Sequence, residues 1–128
     1  MKKKIVVIDD HPYFGASLKY KLEKEGGFIV YTAPNGEEGI EMVKQFIPDL
    51  VVVDYVMPGM DGLHVCRAIK RIPALRKVIL VMLTSEAVVS LVKEAVNAGV
   101  KDFIAKTTKI EIAIEKIKKA LKDTEESE

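Results

Sequence analysis

Residues 49–62 read DLVVVDYVMPGMDG, and this stretch decides the fold of the chain. An unbroken apolar run, mostly valine, leads into the carboxylate of Asp54, and a Pro-Gly turn follows at once. A short continuous apolar run bounded by turn residues is typical of a strand that is buried on both faces of a parallel sheet. We therefore expect Asp54 at the carboxyl end of a central strand, where open α/β sheets place their binding sites.

Strands of this kind alternate with amphipathic helices along the chain. We predict strands over residues 5–8, 28–32, 50–54, 78–83 and 102–105, and helices that begin near residues 12, 35, 61, 88 and 110. This alternation predicts an α/β fold: a single doubly wound, flavodoxin-like domain whose five-stranded parallel sheet has the order 2-1-3-4-5 and is flanked by five helices. Residues 1–122 are expected to form this domain, and residues 123–128 a polar acidic tail.

Composition excludes several classes of protein. The chain has 128 residues, the size of one ordinary domain. Its net charge of +1 favours neither nucleic acid nor an anionic membrane surface. We see no secretory signal, and no apolar run approaches the ~20 residues of a membrane span. The single cysteine, Cys66, cannot form an internal disulfide, and we expect it in the core of a cytoplasmic protein.

Polar residues follow four of the predicted strands. Asp9 and Asp10 end the first, Asp54 the third, Thr84 the fourth and Lys106 the fifth. The carboxyl ends of parallel strands share one edge of the sheet, so three carboxylates would crowd together and need a positive partner, either Lys106 or a bound cation. An all-oxygen set open to water suits Mg²⁺. The pattern predicts a phosphoryl-transfer site with a carboxylate nucleophile, a neutralising lysine and a hydroxyl.

The same motifs resemble the receiver domains of bacterial two-component response regulators. The resemblance runs from about residue 3 to residue 121, and it lies in residues 9–10, 54–62, 83–85 and 103–106. It implies that Asp54 accepts a phosphoryl group from a histidine kinase or a phosphotransfer protein. It also implies that Asp10 holds Mg²⁺ directly and Asp9 through water, with Asp54 and the backbone carbonyl of Val56 as further ligands.

The resemblance also implies how such a switch is read. Lys106 would pair with Asp54 and then with the phosphoryl group, Thr84 would move to bind a phosphoryl oxygen, and Phe103 would turn inward. The surface formed by helix four, strand five and helix five would then change. Such a protein catalyses only its own phosphorylation and dephosphorylation, and acts on a protein partner, on its own output domain or through a phosphorylation-dependent homodimer.

Other interpretations remain open. The chain could act alone, which we prefer, or could be the N-terminal regulatory domain of a longer DNA-binding transcription regulator, whose receivers resemble the motif of residues 10–12. A magnesium-dependent phosphohydrolase of the haloacid-dehalogenase type would need an acid two residues after Asp54, where this chain has Val56. A flavin or nucleotide carrier would need a small, hydroxyl-rich loop after strand one, where Asp10, His11 and Pro12 stand.

Several positions depart from the commonest receiver pattern. Thr107 replaces a frequent proline, which leaves the isomer of the Lys106–Thr107 bond open, and Ser85 replaces a smaller residue. Val56 is apolar, and we expect it to alter the lifetime of the phosphoryl group. We interpret His11 as a solvated or helix-capping residue rather than a metal ligand, and we expect His64 to be exposed.

Overall fold

The structure is a computed structural model that describes the backbone of residues 2–85 and 89–127, and the side chains of residues 2–85 and 90–123. Strands and helices alternate along the chain: β1 (Lys4–Ile8), α1 (Pro12–Gly26), β2 (Ile29–Ala33), α2 (Gly36–Phe46), β3 (Leu50–Asp54), α3 (Gly62–Lys70), a 3₁₀ turn (Pro73–Leu75), β4 (Ile79–Thr84), α4 (Val89–Asn97), β5 (Val100–Ala105) and α5 (Ile110–Ser127).

The five strands form one parallel sheet in the order β2-β1-β3-β4-β5. This order confirms the predicted doubly wound topology. The chain order reverses between β1 and β3, which are neighbours in the sheet although β2 and two helices separate them in sequence. Ligands bind beyond the carboxyl ends of the strands at such a switch point, and Asp54, the last residue of β3, lies there.

The core has two layers because successive strand residues face opposite sides of the sheet. On one side, Ile5 and Val7 of β1 pack with apolar residues of α1 and α5: Leu18, Leu22, Ala113, Ile114, Ile117 and Leu121. On the other side, Val6 and Ile8 pack with residues of α2, α3 and α4: Val43, Val65, Cys66, Ile69, Leu91 and Ala95. Burial on both sides explains why β1 and β3 are continuously apolar.

Local sequence signals set the ends of the helices. Pro12 occupies the first turn of α1, where its missing N–H costs nothing. Gly27 ends α1 with a left-handed conformation, φ +68°, and its N–H donates to the carbonyl of Leu22. Asn35 caps α2 through a 2.8 Å bond from the Glu38 N–H, and Asp61 caps α3 through a 2.9 Å bond from the His64 N–H.

The predicted bounds differ from the structure mainly in the last two elements. β5 begins at Val100 rather than at residue 102, because a register shift beside Leu80 and Val81 lets Lys101 bulge out of the pairing. The helix α5 continues to Ser127, through most of the residues expected to form a tail, and the boundary between domain and tail stays a prediction. Val88, expected to face inward from helix four, lies outside the described residues.

Two single-residue predictions are confirmed: Cys66 is fully buried, and His64 is exposed. Within the described part of the chain, no helix is both long and apolar enough to span a membrane.

Candidate functional site

The carboxyl edge of the sheet brings the predicted site residues together. Asp9 and Asp10 follow β1 directly, Asp54 ends β3, and Lys106 follows β5. The backbone N–H of Asp9 donates to the carbonyl of Ala33, which extends the β1–β2 ladder by one residue and orients the turn. The N–H of Lys106 donates to the carbonyl of Thr84 over 2.9 Å, so the β4–β5 pairing also continues into the site.

A short ion pair joins the two ends of the site. Nζ of Lys106 donates a hydrogen bond to Oδ2 of Asp54 over 2.6 Å and lies 3.8 Å from Oδ1 of Asp9. Asp54 is 1% exposed. A buried carboxylate is stable only with a close positive or hydrogen-bonding partner, and Lys106 provides it from two strands away.

Burial raises the pKa of Asp54 to about 6 from the ordinary value of 3.8. The bond from Lys106 lowers this pKa, and the neighbouring carboxylate of Asp9 raises it. Because the pKa of Asp54 is raised overall, the bond from Lys106 does not fully offset the effects of burial and of the neighbouring Asp9 carboxylate. The site therefore favours the arrival of further positive charge.

The acidic residues fit a divalent cation. Asp9, Asp10, His11 and Asp54 each offer one ligand atom, and these atoms lie within 4.8 Å of one another. Two buried carboxylate oxygens, Oδ2 of Asp9 and Oδ1 of Asp10, have no hydrogen-bond partner within the part of the chain that the structure describes. Buried oxygens of this kind are ordinarily satisfied by water or a metal ion, and carboxylates are the ligands that Mg²⁺ prefers.

His11 belongs to this cluster, which the sequence did not predict. It stands at the N-cap position of α1, but its side chain makes no capping bond. Nδ1 instead lies 3.2 Å from Oδ1 of Asp10, 3.7 Å from Oδ2 of Asp54 and 3.2 Å from Nζ of Lys106. Of the two predicted roles, the solvated one agrees with a side chain that is 65% exposed, whereas the capping one does not agree with the structure. The one available signal was Pro12, which holds the preceding residue in an extended conformation.

The loop after Asp54 is held against the site by Gly62. The N–H of Gly62 donates to the carbonyl of Tyr55 over 2.8 Å. A Cβ at this position would lie 2.5 Å from the carbonyl oxygen of Asp54 and 2.9 Å from Cα of Tyr55. Only glycine permits this approach of two backbone segments. The Pro-Gly turn within the loop is completed by Gly59 at φ +83°.

A cavity of about 310 Å³ opens beside Asp54, between this loop and α4. Its walls include Val56, Thr84 and Ser85, with Ser90 and Glu94 of α4 opposite. Thr84 is buried, whereas the side chain of Val56 is 62% exposed. The cavity is large enough for a tetrahedral anion and several waters, and its lining includes the Thr84 hydroxyl and the apolar side chain of Val56.

Phe103 lies on β5 opposite Met82 of β4 and packs, partly buried, against the core layer that includes α4. Its carbonyl accepts a 2.7 Å hydrogen bond from Nζ of Lys116 on α5. The strand that carries Phe103 is thus tied to α5 by a side chain. Among the described residues no peptide bond is cis, so Lys106–Thr107 is trans.

Comparison with known proteins gives the class of this protein. Residues 5–120 match the family described as the response regulator receiver domain. The chain is 36% identical over 121 residues to the chemotaxis protein CheY of Bacillus subtilis, which covers 94% of this chain and 99% of that protein. It is 31% identical over 106 residues to the phosphate regulon transcriptional regulatory protein PhoB of Rhizobium meliloti, covering 83% of this chain and 46% of that protein.

The structural comparison agrees. A CheY-like receiver domain protein from Methanospirillum hungatei superposes with a TM-score of 0.92 and 26% identity, over the whole of both chains. The chain therefore belongs to the response regulator receiver family. It is a signalling domain of the two-component type rather than a conventional enzyme, and it is similar both to the stand-alone CheY and to a longer transcription regulator.

Proposed function

We propose that this receiver is a phosphorylation-controlled switch that accepts a phosphoryl group on Asp54 from the phosphohistidine of a kinase or phosphotransfer protein. The observation that carries the proposal is the 2.6 Å pairing of Asp54 with Lys106 inside a cluster of three carboxylates. A carboxylate fixed at the carboxyl edge of the sheet can attack an incoming phosphorus atom, and fixed positive charge can stabilise the transferring group.

The transfer is a substitution at phosphorus. An oxygen of Asp54 forms a bond to phosphorus while the bond to the donor imidazole nitrogen breaks, and that nitrogen leaves with the bonding pair. Asp9 and Asp10 would hold Mg²⁺ together with Asp54 and the carbonyl of Val56, and the metal would supply charge neutralisation for the phosphoryl oxygens. Lys106 is already placed to move from the carboxylate to a phosphoryl oxygen, since its ammonium lies beside Asp54.

The switch would be read through Thr84 and the surface formed by α4, β5 and α5. A phosphoryl group adds nearly two negative charges and three acceptor oxygens, which can draw the Thr84 hydroxyl across the cavity. The 2.9 Å backbone bond between Thr84 and Lys106 couples that movement to the start of the β5–α5 connection. The exposed side chains of Val96 and Ile112 give this surface apolar area for a partner.

The two kinds of relatives suggest two possible outputs for the switch. As in a stand-alone receiver, the surface would bind a separate protein or a second phosphorylated copy. The similarity to PhoB, of which this chain spans less than half, supports the alternative that the domain controls an attached output domain. In both cases residues 1–122 would act through protein contacts and would not bind nucleic acid directly.

The test is incubation with Mg²⁺ and acetyl phosphate, or with a cognate kinase, followed by intact mass measurement. We expect the mass of one phosphoryl group to be added, and we expect Asp54→Asn to abolish the addition. Asp49→Asn is the matched control, because Asp49 immediately precedes β3, at the end opposite Asp54, and its carboxylate accepts a hydrogen bond from the N–H of Lys4. Equal labelling of the Asp54→Asn protein would end the proposal, and steady hydrolysis of a generic phosphate ester would replace it with a phosphohydrolase.

A further inference from the structure

We infer that Nδ1 of His11 is a ligand of the cation held by Asp10 and Asp54, and that it makes this site accept nitrogen-binding cations such as Zn²⁺. The inference rests on the cation site of the proposed function and adds one ligand to it. A site of carboxylates and a carbonyl suits Mg²⁺, whereas an imidazole suits zinc and its neighbours. The added nitrogen therefore changes which metal the site prefers.

The distances around Nδ1 are those expected among ligands of one ion. Nδ1 lies 3.2 Å from Oδ1 of Asp10, 3.5 Å from Oδ1 of Asp9 and 3.7 Å from Oδ2 of Asp54. Two ligand atoms bound about 2.0–2.2 Å from a common ion lie roughly 2.8–3.6 Å apart in octahedral or tetrahedral arrangements. The contacts to Asp10 and Asp9 fall within this range, and the contact to Asp54 lies just above it. An imidazole that only covered the site would not bring its nitrogen this close to three carboxylates.

The carboxylates themselves indicate that a ligand belongs there. The side chain of Asp9 is 2% exposed, and its buried Oδ2 has no hydrogen-bond partner among the described residues. Oδ1 of Asp10 likewise accepts no hydrogen bond from the residues that the structure describes, although Nδ1 is 3.2 Å away. Nζ of Lys106 lies 3.2 Å from Nδ1, and an ammonium can only donate, so in this contact Nδ1 is an acceptor that carries a lone pair rather than a proton. That lone pair is the one a cation would bind.

The backbone fixes this position of His11. Pro12 confines the residue before it to extended conformations, and His11 has φ −96° and ψ 106°. The N–H of His11 donates to Oδ1 of Asp9 over 2.9 Å, so the residue that carries the imidazole is tied to a predicted ligand. Lys106, whose Nζ lies 3.2 Å from Nδ1, is the positive group that a divalent cation would have to displace or share.

The experiment measures Zn²⁺ and Mg²⁺ affinity by titration calorimetry for the unmodified protein, His11→Ala and His64→Ala. His64 is the matched control, because it is exposed and its Nδ1 also lies 3.1 Å from a carboxylate, that of Asp61. We expect His11→Ala to weaken Zn²⁺ binding about tenfold or more while Mg²⁺ affinity stays within about threefold. His64→Ala should change neither, and Zn²⁺ should shift the His11 imidazole nitrogen resonances.

Two outcomes would overturn the inference. If His11→Ala leaves Zn²⁺ affinity unchanged, Nδ1 is not a ligand; if it lowers Zn²⁺ and Mg²⁺ affinity by the same factor, His11 only shapes the site. Asp10→Asn separates these failures from a failure of the proposed function. If Asp10→Asn loses Mg²⁺ binding while His11→Ala has no effect on Zn²⁺, the carboxylate cation site is correct and only the role of His11 is refuted. If the unmodified protein binds neither cation, both the site and the role of His11 are refuted.

Discussion

Nζ of Lys106 lies 2.6 Å from Oδ2 of Asp54, although 52 positions separate the two residues in the chain. The fold produces this contact by placing β5 two strands from β3 and ending both at the same edge. The side chain of Asp54 is almost completely buried, whereas that of Lys106 is 22% exposed to solvent. This asymmetry lets the lysine neutralise Asp54 and still reach an incoming group.

Removing the charge of Asp54 should stabilise the metal-free protein at neutral pH. Because its pKa is raised to about 6 from 3.8, the stability associated with the protonated carboxyl is fully present below about pH 3.8 and is lost as pH rises through about 6. The difference between these two pKa values corresponds to about 3 kcal/mol of unfolding free energy. Asn removes the cost of burying the charge, but it also leaves the Lys106 ammonium without a carboxylate, which offsets part of that gain. We therefore expect Asp54→Asn to gain about 1–3 kcal/mol at pH 7.5 with EDTA present.

Urea unfolding at pH 7.5 and at pH 4 measures this effect. The gain should shrink strongly at pH 4, where the Asp54 carboxyl is mostly protonated. Lys106→Met, which leaves the carboxylate without its lysine, should be destabilised at pH 7.5. A lower stability of Asp54→Asn at pH 7.5 would mean that the ion pair outweighs the cost of burying the charge.

Gly62→Ala should destabilise the protein through backbone contact alone. The new Cβ would lie 2.5 Å from the Asp54 carbonyl oxygen, and neither backbone segment can yield without moving the carboxylate. We expect a loss of about 2–4 kcal/mol in unfolding free energy. Gly59→Ala is the control: its Cβ would meet nothing within 4 Å, but its φ of +83° is unfavourable for alanine, so about 1 kcal/mol should be lost.

Gly62→Ala and Gly59→Ala also distinguish a loss of stability from a loss of phosphoryl transfer at Asp54. Gly62→Ala should slow phosphoryl transfer to Asp54 as well as lower stability, because the two residues are in contact. Gly59→Ala should lower stability alone. Equal effects of both substitutions on the transfer rate would show that the 55–62 loop acts as a whole and that Gly62 has no separate role.

Convergence of the site was predictable because it depends on topology. Once β1, β3, β4 and β5 are parallel, the residues that end them must meet at one edge, whatever the details of packing. The direction of the His11 ring was not predictable in this way. It depends on the extended backbone before Pro12 and on the bond from the His11 N–H to Asp9, neither of which leaves a periodic signal.

The errors in the element bounds have a similar origin. The apolar stripe of α5 ends at Leu121, and the pattern predicted a polar tail over residues 123–128, whereas the helical backbone continues to Ser127. Polar residues such as Lys and Glu are good helix formers, so a helix can extend beyond its apolar stripe. At β5, the charged Lys101 interrupts the apolar pattern and bulges out of the strand pairing. The pattern therefore did not predict that Val100 and Lys101 belong to the strand. Patterns locate the buried part of an element more reliably than its ends.

Cys66 should be unreactive in the folded protein. It is fully buried, and burial raises the pKa of its thiol to about 12 from 9.0. The thiolate is the reactive form, so iodoacetamide at pH 8 should label native protein only as fast as the chain opens. Labelling in denaturant should be complete. Rapid labelling of native protein, at a rate independent of stability, would show that the α3 layer opens locally.

The same pKa gives a dependence on alkaline pH. The folded thiol holds its proton more tightly than the unfolded one, so its contribution to stability is complete below about pH 9 and is lost as pH rises toward 12. Cys66→Ala removes this titration. Its unfolding free energy should therefore fall less steeply between pH 9 and pH 11 than that of the unmodified protein, a difference that urea unfolding can resolve.

Val56 should set how long the phosphoryl group remains on Asp54. Val56 is 62% exposed and lines the cavity beside the residues that follow Asp54, and we expect water to approach the acyl phosphate from this side. An amide there can hydrogen-bond and orient that water, which favours attack on phosphorus. We expect Val56→Asn to accelerate dephosphorylation severalfold, measured by the loss of phosphorylated mass after the donor is removed. Val96→Asn, a like change at a residue of similar exposure on α4, should leave the rate unchanged. If Val56→Asn also leaves the rate unchanged, access of water is controlled by other residues, and Val56 has no part in timing the signal.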